Sequence, residues 1–343
     1  MKKSIIALFL ALGFVAGTDA FASRARLVVT GTGDAGAILD GAGGSFYVED
    51  AYNMFYNPSY VNEYKDWGII ERSVAGGSAT GNHPFGGFVT SMMNTNVGVF
   101  FNRTSAMGPE ASAVNTHPIE LIVGGDHGVK WGAGLSYGHN GNATGTDTDV
   151  MLRLGAQFDG LDPFLSYRLI DKEKSIAAGN TYKDMTIGTR YHWGEWTPYT
   201  AFRQKKTNGN TMTNNFGLGM GRNAKVAEGV KLHYGFGFWR NVNKAAGTST
   251  SVVPVDMSVE GDATSWLALR AGLNYRLWDQ TGKATNADAA TGRLGATFKW
   301  NKLSMDWAVG SGTAAAATAE TIDNSTFGFD GQFFAATSLQ YTW

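Results

Sequence analysis

The chain ends on Ser338-Leu339-Gln340-Tyr341-Thr342-Trp343, a strict alternation in which Leu339, Tyr341 and Trp343 face one way and Ser338, Gln340 and Thr342 the other. Side chains along a strand alternate with period two, so this pattern describes a ribbon with one apolar and one polar face. It recurs along most of the sequence. Val129, Trp131, Ala133, Leu135 and Tyr137 alternate with Lys130, Gly132, Gly134 and Ser136, and Leu267, Leu269, Ala271, Leu273, Tyr275 and Leu277 oppose Arg270, Gly272, Asn274 and Arg276. A soluble β-sandwich also alternates, but its outer faces are polar and its inner faces form a dry core. Here a large apolar face is set against arginines and glycines, as in a strand with lipid on one side and water on the other.

The N-terminus supplies a route to a membrane. Lys2 and Lys3 precede a short apolar core, Ile5 to Gly17, and Ala20-Phe21-Ala22 is a small-x-small cleavage site. Together they read as a secretory signal peptide over 1–22. The apolar core falls short of the roughly 20 residues a spanning helix needs, and no later stretch approaches that length. There is no cysteine, and a net charge of -1 excludes the strong field expected of a nucleic-acid binder.

Alternation and turn residues divide the rest into sixteen candidate strands. They cover 67–72, 85–93, 97–104, 118–125, 129–139, 149–158, 163–170, 183–193, 196–205, 214–222, 230–241, 251–260, 266–278, 292–300, 303–310 and 333–343. Short connections, such as Asp126 to Gly128, Asp159 to Asp162 and Asn301-Lys302, alternate with longer ones, as periplasmic turns alternate with extracellular loops. The expectation is an all-β, transmembrane, antiparallel up-and-down barrel of about 16 strands over 66–343. The 23–65 segment precedes it and is a candidate short periplasmic plug. Pro254 cannot donate to a ladder, and losing its strand together with the first would leave 14. Aromatic residues flanking turns, among them Tyr191, Trp193, Trp278 and Trp300, read as interfacial girdles.

By alternation the inward, pore-lining set includes Lys130, Arg153, Arg168, Arg190, Lys231, Arg270, Arg276, Arg293 and Lys299, with Glu120 and Asp306 as its clearest acids. A basic wall predicts a water-filled channel for passive diffusion of small hydrophilic solutes and ions, with mild anion preference. Asn140 to Thr148 and Ser105 to His117 are the candidate constricting loops. The alternative is a plugged transporter of hydrophobic compounds, lined by residues such as Phe46, Tyr47, Tyr52, Met54, Phe55 and Tyr60; a non-conducting structural barrel is a third reading.

Gly31 to Gly36 is a literal G-x-G-x-x-G, but only strands follow it, where a dinucleotide fold needs a helix and then alternating β and α. The six histidines lack metal-ligand spacing, and no hydrolase or metalloprotease motif occurs. No cofactor, metal or enzymatic activity is expected.

The export signal, the strand series closing on Tyr341-Thr342-Trp343 and the alternating turns and loops resemble bacterial outer-membrane porins. The overall character is similar to the porin-like proteins of predatory deltaproteobacteria. That resemblance implies an outer-membrane location among lipid and lipopolysaccharide, and a homotrimer. It also implies that Leu339, Tyr341 and Trp343 are an assembly signal for the barrel-insertion machinery. Porins more often end in phenylalanine, so Trp343 is a departure. Phe55-Tyr56-Asn57-Pro58-Ser59 resembles the Asn-Pro-Ala element of long-chain fatty-acid-type transporters, which have 14 strands and an N-terminal plug; Asn57 and Pro58 match, and Ser59 replaces alanine.

Overall fold

The computed structural model describes residues 23–30, 44–75, 84–103, 118–142, 145–175, 182–207, 211–244, 246–281, 284–285, 290–311 and 333–343. The export signal, the Gly31 to Gly36 run and the Ser105 to His117 loop lie outside them.

The expected strands are all present. They are β1 (Trp67–Ala75), β2 (Phe85–Met92), β3 (Thr95–Phe101), β4 (Ile119–Asp126), β5 (Lys130–Asn142), β6 (Gly145–Gln157), β7 (Leu161–Ser175) and β8 (Tyr182–Tyr191). The wall continues with β9 (Trp196–Thr207), β10 (Thr211–Ala227), β11 (Val230–Asn243), β12 (Thr248–Thr264), β13 (Leu267–Thr281), β14 (Ala290–Trp300), β15 (Leu303–Ser311) and β16 (Phe333–Thr342). A two-residue strand, Ala284–Thr285, pairs only with the tip of β13. Each strand runs antiparallel to its sequence neighbour, and β1 closes the ring on β16, with Trp67 opposite Thr342 and Ala75 opposite Phe334. Closure leaves no strand edge, which a bilayer without water to pair backbone groups requires. Pro254 is accommodated where the β12–β13 register shifts between Val253 and Pro254, a bulge of the kind that tolerates proline. The wall therefore has sixteen strands and not fourteen.

The two faces follow the alternation. Leu135, Leu154, Ile187, Leu273, Leu294 and Leu339 point outward and are exposed, and Trp193, Trp266, Trp300 and Trp343 surround the short turns at one end. So extensive an apolar exterior suits lipid and not water. The short turns are tight: Asp159 and Gly160 both have positive φ, 48° and 78°, the backbone that matches the twist of a two-residue hairpin.

The opposite end corrects the sequence reading. Asn140 to Thr148 is not a loop folding into the barrel, because β5 and β6 stay paired through it, with Asn140 opposite Asp147 and Asn142 opposite Gly145. It raises the wall instead. The rim is uneven, since β10 and β12 each run 17 residues and β3 only 7.

An arginine at Leu273 is expected to destabilise the barrel by about 2–4 kcal/mol, the cost of a charge on the lipid face near the bilayer midplane. Urea titration in lipid vesicles checks this, with Leu273→Ala as the reference; equal effects of the two substitutions would contradict the assigned face.

Candidate functional site: the lumen and its N-terminal segment

The lumen is occupied by the chain's own N-terminus. Helix α1 (Arg24–Thr30) is capped by Ser23, whose Oγ accepts the Arg26 N–H at 3.0 Å. Two 3-10 turns follow, η1 (Ala51–Phe55), where the Asp50 side chain accepts the Tyr52 N–H at 2.9 Å, and η2 (Pro58–Asn62), capped by Asn57 with proline at the first position. Helix α1 packs on β12 to β16, and η2 packs on β3 to β6. Between them Phe46 stacks on Tyr199 of β9 at 4.6 Å, Tyr47 lies against Gly221 of β10, and Phe55 meets Phe100 of β3 edge-on at 4.9 Å. The segment thus meets the wall around its circumference. A sixteen-stranded wall is roughly 30 Å across between backbones, and the apolar core of this protein lies inside that ring. Phe46, Val48, Ala51, Met54, Phe55 and Tyr56 are all completely buried.

Inward glycines make room for it. A Cβ at Gly132 would collide with Pro58, one at Gly155 with Asn57, and one at Gly272 with the Val29 carbonyl. Alternation alone predicts that these inward glycines line water; they are seats for the segment.

Little of this segment is regular, so its carbonyls need partners when buried. Wall side chains provide them. Arg153 Nη1 donates to the Phe55 carbonyl at 2.6 Å, Arg190 Nη1 to that of Phe46 at 3.0 Å, and Asn223 Nδ2 to that of Tyr47. At the end of α1, Arg293 Nη1 donates to the Val28 carbonyl at 2.9 Å and Ser258 Oγ to that of Thr30 at 2.8 Å. A cation there also suits the negative end of the helix dipole.

Charge pairing runs in both directions across this interface. Arg190 of the wall holds Asp162 of the wall at 2.9 Å and Glu49 of the segment at 2.9 Å. Arg26 of the segment grips Glu260 of the wall through Nε and Nη2, at 2.9 and 2.6 Å, and touches Asp50 at 3.1 Å. Arg153 pairs with Glu120, and Arg270 with Glu260 and Asp306. Elsewhere on the inward face, Arg168 meets Asp149 at 2.5 Å, Arg276 meets Asp279 at 2.5 Å, and Arg203 meets Asp184.

Of the residues expected to line a pore, Arg153, Arg168, Arg190, Arg270, Arg276, Arg293, Glu120 and Asp306 are inward and buried. Lys130 pairs with Glu63 at the short-turn rim, Lys299 with Asp262 at 2.7 Å, and Lys231 is exposed at the start of β11. Asp149, Asp162, Asp184, Asp256, Glu260 and Asp279 also face inward and lie outside the expected set. Parity could have found several: Asp162 shares its face with Arg168, and Asp184 with Arg190. The expected plug residues Phe55, Tyr56, Asn57 and Pro58 are all buried within the barrel, while Leu339, Tyr341 and Trp343 lie on its exterior. At the short-turn end a cleft of about 680 Å³ opens between segment and wall, among Glu49, Tyr60, Glu63, Lys130, Asp162 and His192.

No family model matches the sequence, and no curated protein does. Among solved structures, a bacterial polysaccharide outer membrane secretin aligns with a TM-score of 0.53 at 8% identity, covering 81% of this chain and 98% of that one. The fold is that of an outer-membrane β-barrel. The CymD monoaromatic hydrocarbon channel aligns at a TM-score of 0.42 and 10% identity, over 94% of this chain and 99% of that one. A mutant Rh. blastica porin aligns at 0.35 and 11%, over 81% and 98%.

Two outcomes follow from the geometry of this barrel. Arg190→Ala takes the shared cation from buried Asp162 and half-exposed Glu49; Asp162 keeps Tyr60 and His192, the latter at 2.8 Å, so the loss is expected to fall below the about 3–5 kcal/mol of an orphaned buried charge. Hydrogen exchange over 44–66 is expected to rise sharply while the strands stay protected. The second concerns Asp50, which has one contact with an arginine that Glu260 engages twice. Burial pushes its carboxyl up to about 8 against the pull of Arg26. Seated, Asp50 keeps a proton that it gives up once released, so this contribution is whole below about pH 4, the ordinary carboxylate value, and is lost as pH rises through about 8. Release of the segment, followed by protease access at pH 5 and pH 8, is expected to increase with pH in the wild type and to increase less in Asp50→Asn, where the buried Glu71 carboxylate that holds Tyr52 and Arg24 still titrates.

Proposed function

We propose that this protein is an outer-membrane transporter closed at rest by its own N-terminal plug, and that its cargo is small and largely hydrophobic. The observation that carries the reading is the occupied lumen: α1, η1, η2 and the turn from Ser45 to Asp50 fill the ring and bond to its inward face. The cargo class is supported by the aromatic side chains of the inward wall, Phe164, Tyr199 and Trp239, on which Phe46 and Tyr56 of the plug pack. The buried Trp239 indole N–H has no hydrogen-bond partner. A ligand carrying one acceptor on an apolar body matches such a surface.

The open, weakly selective diffusion pore is the second reading. The strand number favours it, because sixteen strands are wide enough for an aqueous channel. Anion preference has little support in either case, since the inward arginines are matched by carboxylates. Residence in the outer membrane, insertion through the Leu339, Tyr341 and Trp343 strand end, contact with lipopolysaccharide and assembly as a homotrimer belong to the same proposal.

Single-channel recording of the refolded mature chain tests it. The wild type is expected to be silent or to open rarely, and Arg190→Ala to give frequent large steps. Large ohmic steps from the wild type would establish the diffusion pore instead.

A further inference from the structure

The β6–β7 hairpin has a gap in its ladder. Across its turn, Phe158 and Leu161 exchange both backbone hydrogen bonds, at 3.0 and 2.8 Å. In antiparallel strands such mutually bonded pairs recur at every second residue, so the next is Ala156 with Pro163. Proline has no N–H, and the Ala156 carbonyl is left without its ladder donor. Continuous pairing of the two strands accordingly stops at Gly155 and Phe164. The same gap recurs in the β8–β9 hairpin, where Pro198 stands opposite Tyr191, so this wall tolerates a proline two residues from a short turn; what sets Pro163 apart is the plug side chain that faces the acceptor it leaves.

The plug supplies the missing donor. Asn57 Nδ2 donates to the Ala156 carbonyl at 3.4 Å, reaching it over Gly155, where a Cβ would occupy the position of its carboxamide. The Oδ1 of the same side chain, which lies over Gly155, accepts the Ser59 N–H at 3.2 Å and the Ser59 hydroxyl at 2.6 Å, which caps η2. Pro58 seats against Gly132 beside it.

We propose that Asn57 and Pro163 form a latch: Pro163 opens one acceptor in the wall, Asn57 fills it from the plug, and the plug is thereby registered to one place on the ring. This rests on the closed-lumen reading above. Asn57 is a positioning residue, and Pro163 acts only by withholding an N–H.

A double-mutant cycle on the refolded mature chain tests the latch, read by hydrogen exchange over 51–66. Asn57→Ala removes both the cap and the wall contact, and exchange is expected to quicken roughly twentyfold. Pro163→Ala restores an N–H opposite Ala156, so on its own it should also loosen the plug while protecting the end of the β6–β7 hairpin. In that background Asn57→Ala retains only the loss of the cap and is expected to act roughly fourfold. Ser59→Ala, which touches the cap alone, should have the same effect in both backgrounds. An equal factor for Asn57→Ala in the two backgrounds overturns the latch and leaves Asn57 as a helix cap. Current recordings on the same samples separate the two readings: an open wild-type pore refutes the closed lumen, whereas the exchange cycle refutes the latch alone.

Discussion

A buried, mostly irregular segment inside a barrel can exist only if its carbonyls find donors, and the wall of this protein is built around that demand. Arg153, Arg190, Arg293, Asn223 and Ser258 reach inward from five different strands and take the carbonyls of Phe55, Phe46, Val28, Tyr47 and Thr30. An unpaired buried carbonyl costs about 1–3 kcal/mol, so these contacts decide whether the segment can be buried at all. Arginine suits the task because its planar fork can serve a carbonyl and a carboxylate together. Arg190 does this, holding Phe46 with one nitrogen while Asp162 and Glu49 neutralise it.

The same accounting separates what can move from what cannot. Every strand bonds to its neighbours through a closed ladder of backbone pairs, and opening that ladder in a bilayer exposes groups that have no water to turn to. The segment is joined to the wall differently, by side-chain bonds, ion pairs and aromatic packing against glycine-lined seats. Were it released at the cleft beside Glu49, Tyr60 and His192, the groups it frees would meet water. A segment held in this way can part from a wall that stays rigid, which is what the proposed plugged transporter requires.

Much of the fold could be read directly from residue order, because period-two alternation is a property of each strand by itself. Outward Leu135 and Leu273 and inward Arg153 and Arg270 are all placed correctly by parity. What alternation cannot give is the identity of the neighbour across the lumen. Gly132, Gly155 and Gly272 look the same in sequence whether they face water or Pro58, Asn57 and Val29. The inward face is not basic once the aspartates of equal parity are set beside the arginines: Asp162 lies on the face of Arg168, and Asp184 on that of Arg190. Loop length misled for a related reason: Asn140 to Thr148 is rich in small and polar residues, yet cross-strand pairing extends the hairpin through it. The Asn57-Pro58 dipeptide was visible as a local motif, and its contact with the wall was not, since Asn57 and Ala156 are distant in sequence.

Pairing within the wall also fixes what an emptied lumen would offer a solute. When the plug leaves, Arg153 loses the Phe55 carbonyl but keeps Glu120, and Arg190 loses Glu49 but keeps Asp162. Glu260 loses Arg26 and retains Arg270, which also holds Asp306. Each of these charges thus returns to a partner already on the ring, and the exposed surface is one of closed ion pairs interrupted by glycines and by the aromatic patch at Phe164, Tyr199 and Trp239. Paired charges attract neither sign of ion strongly, whereas an apolar patch with an unpaired indole N–H would suit the proposed cargo, a solute with an apolar body and an acceptor. Discrimination in the opened barrel would then come from that patch, with the arginines serving to receive the plug again.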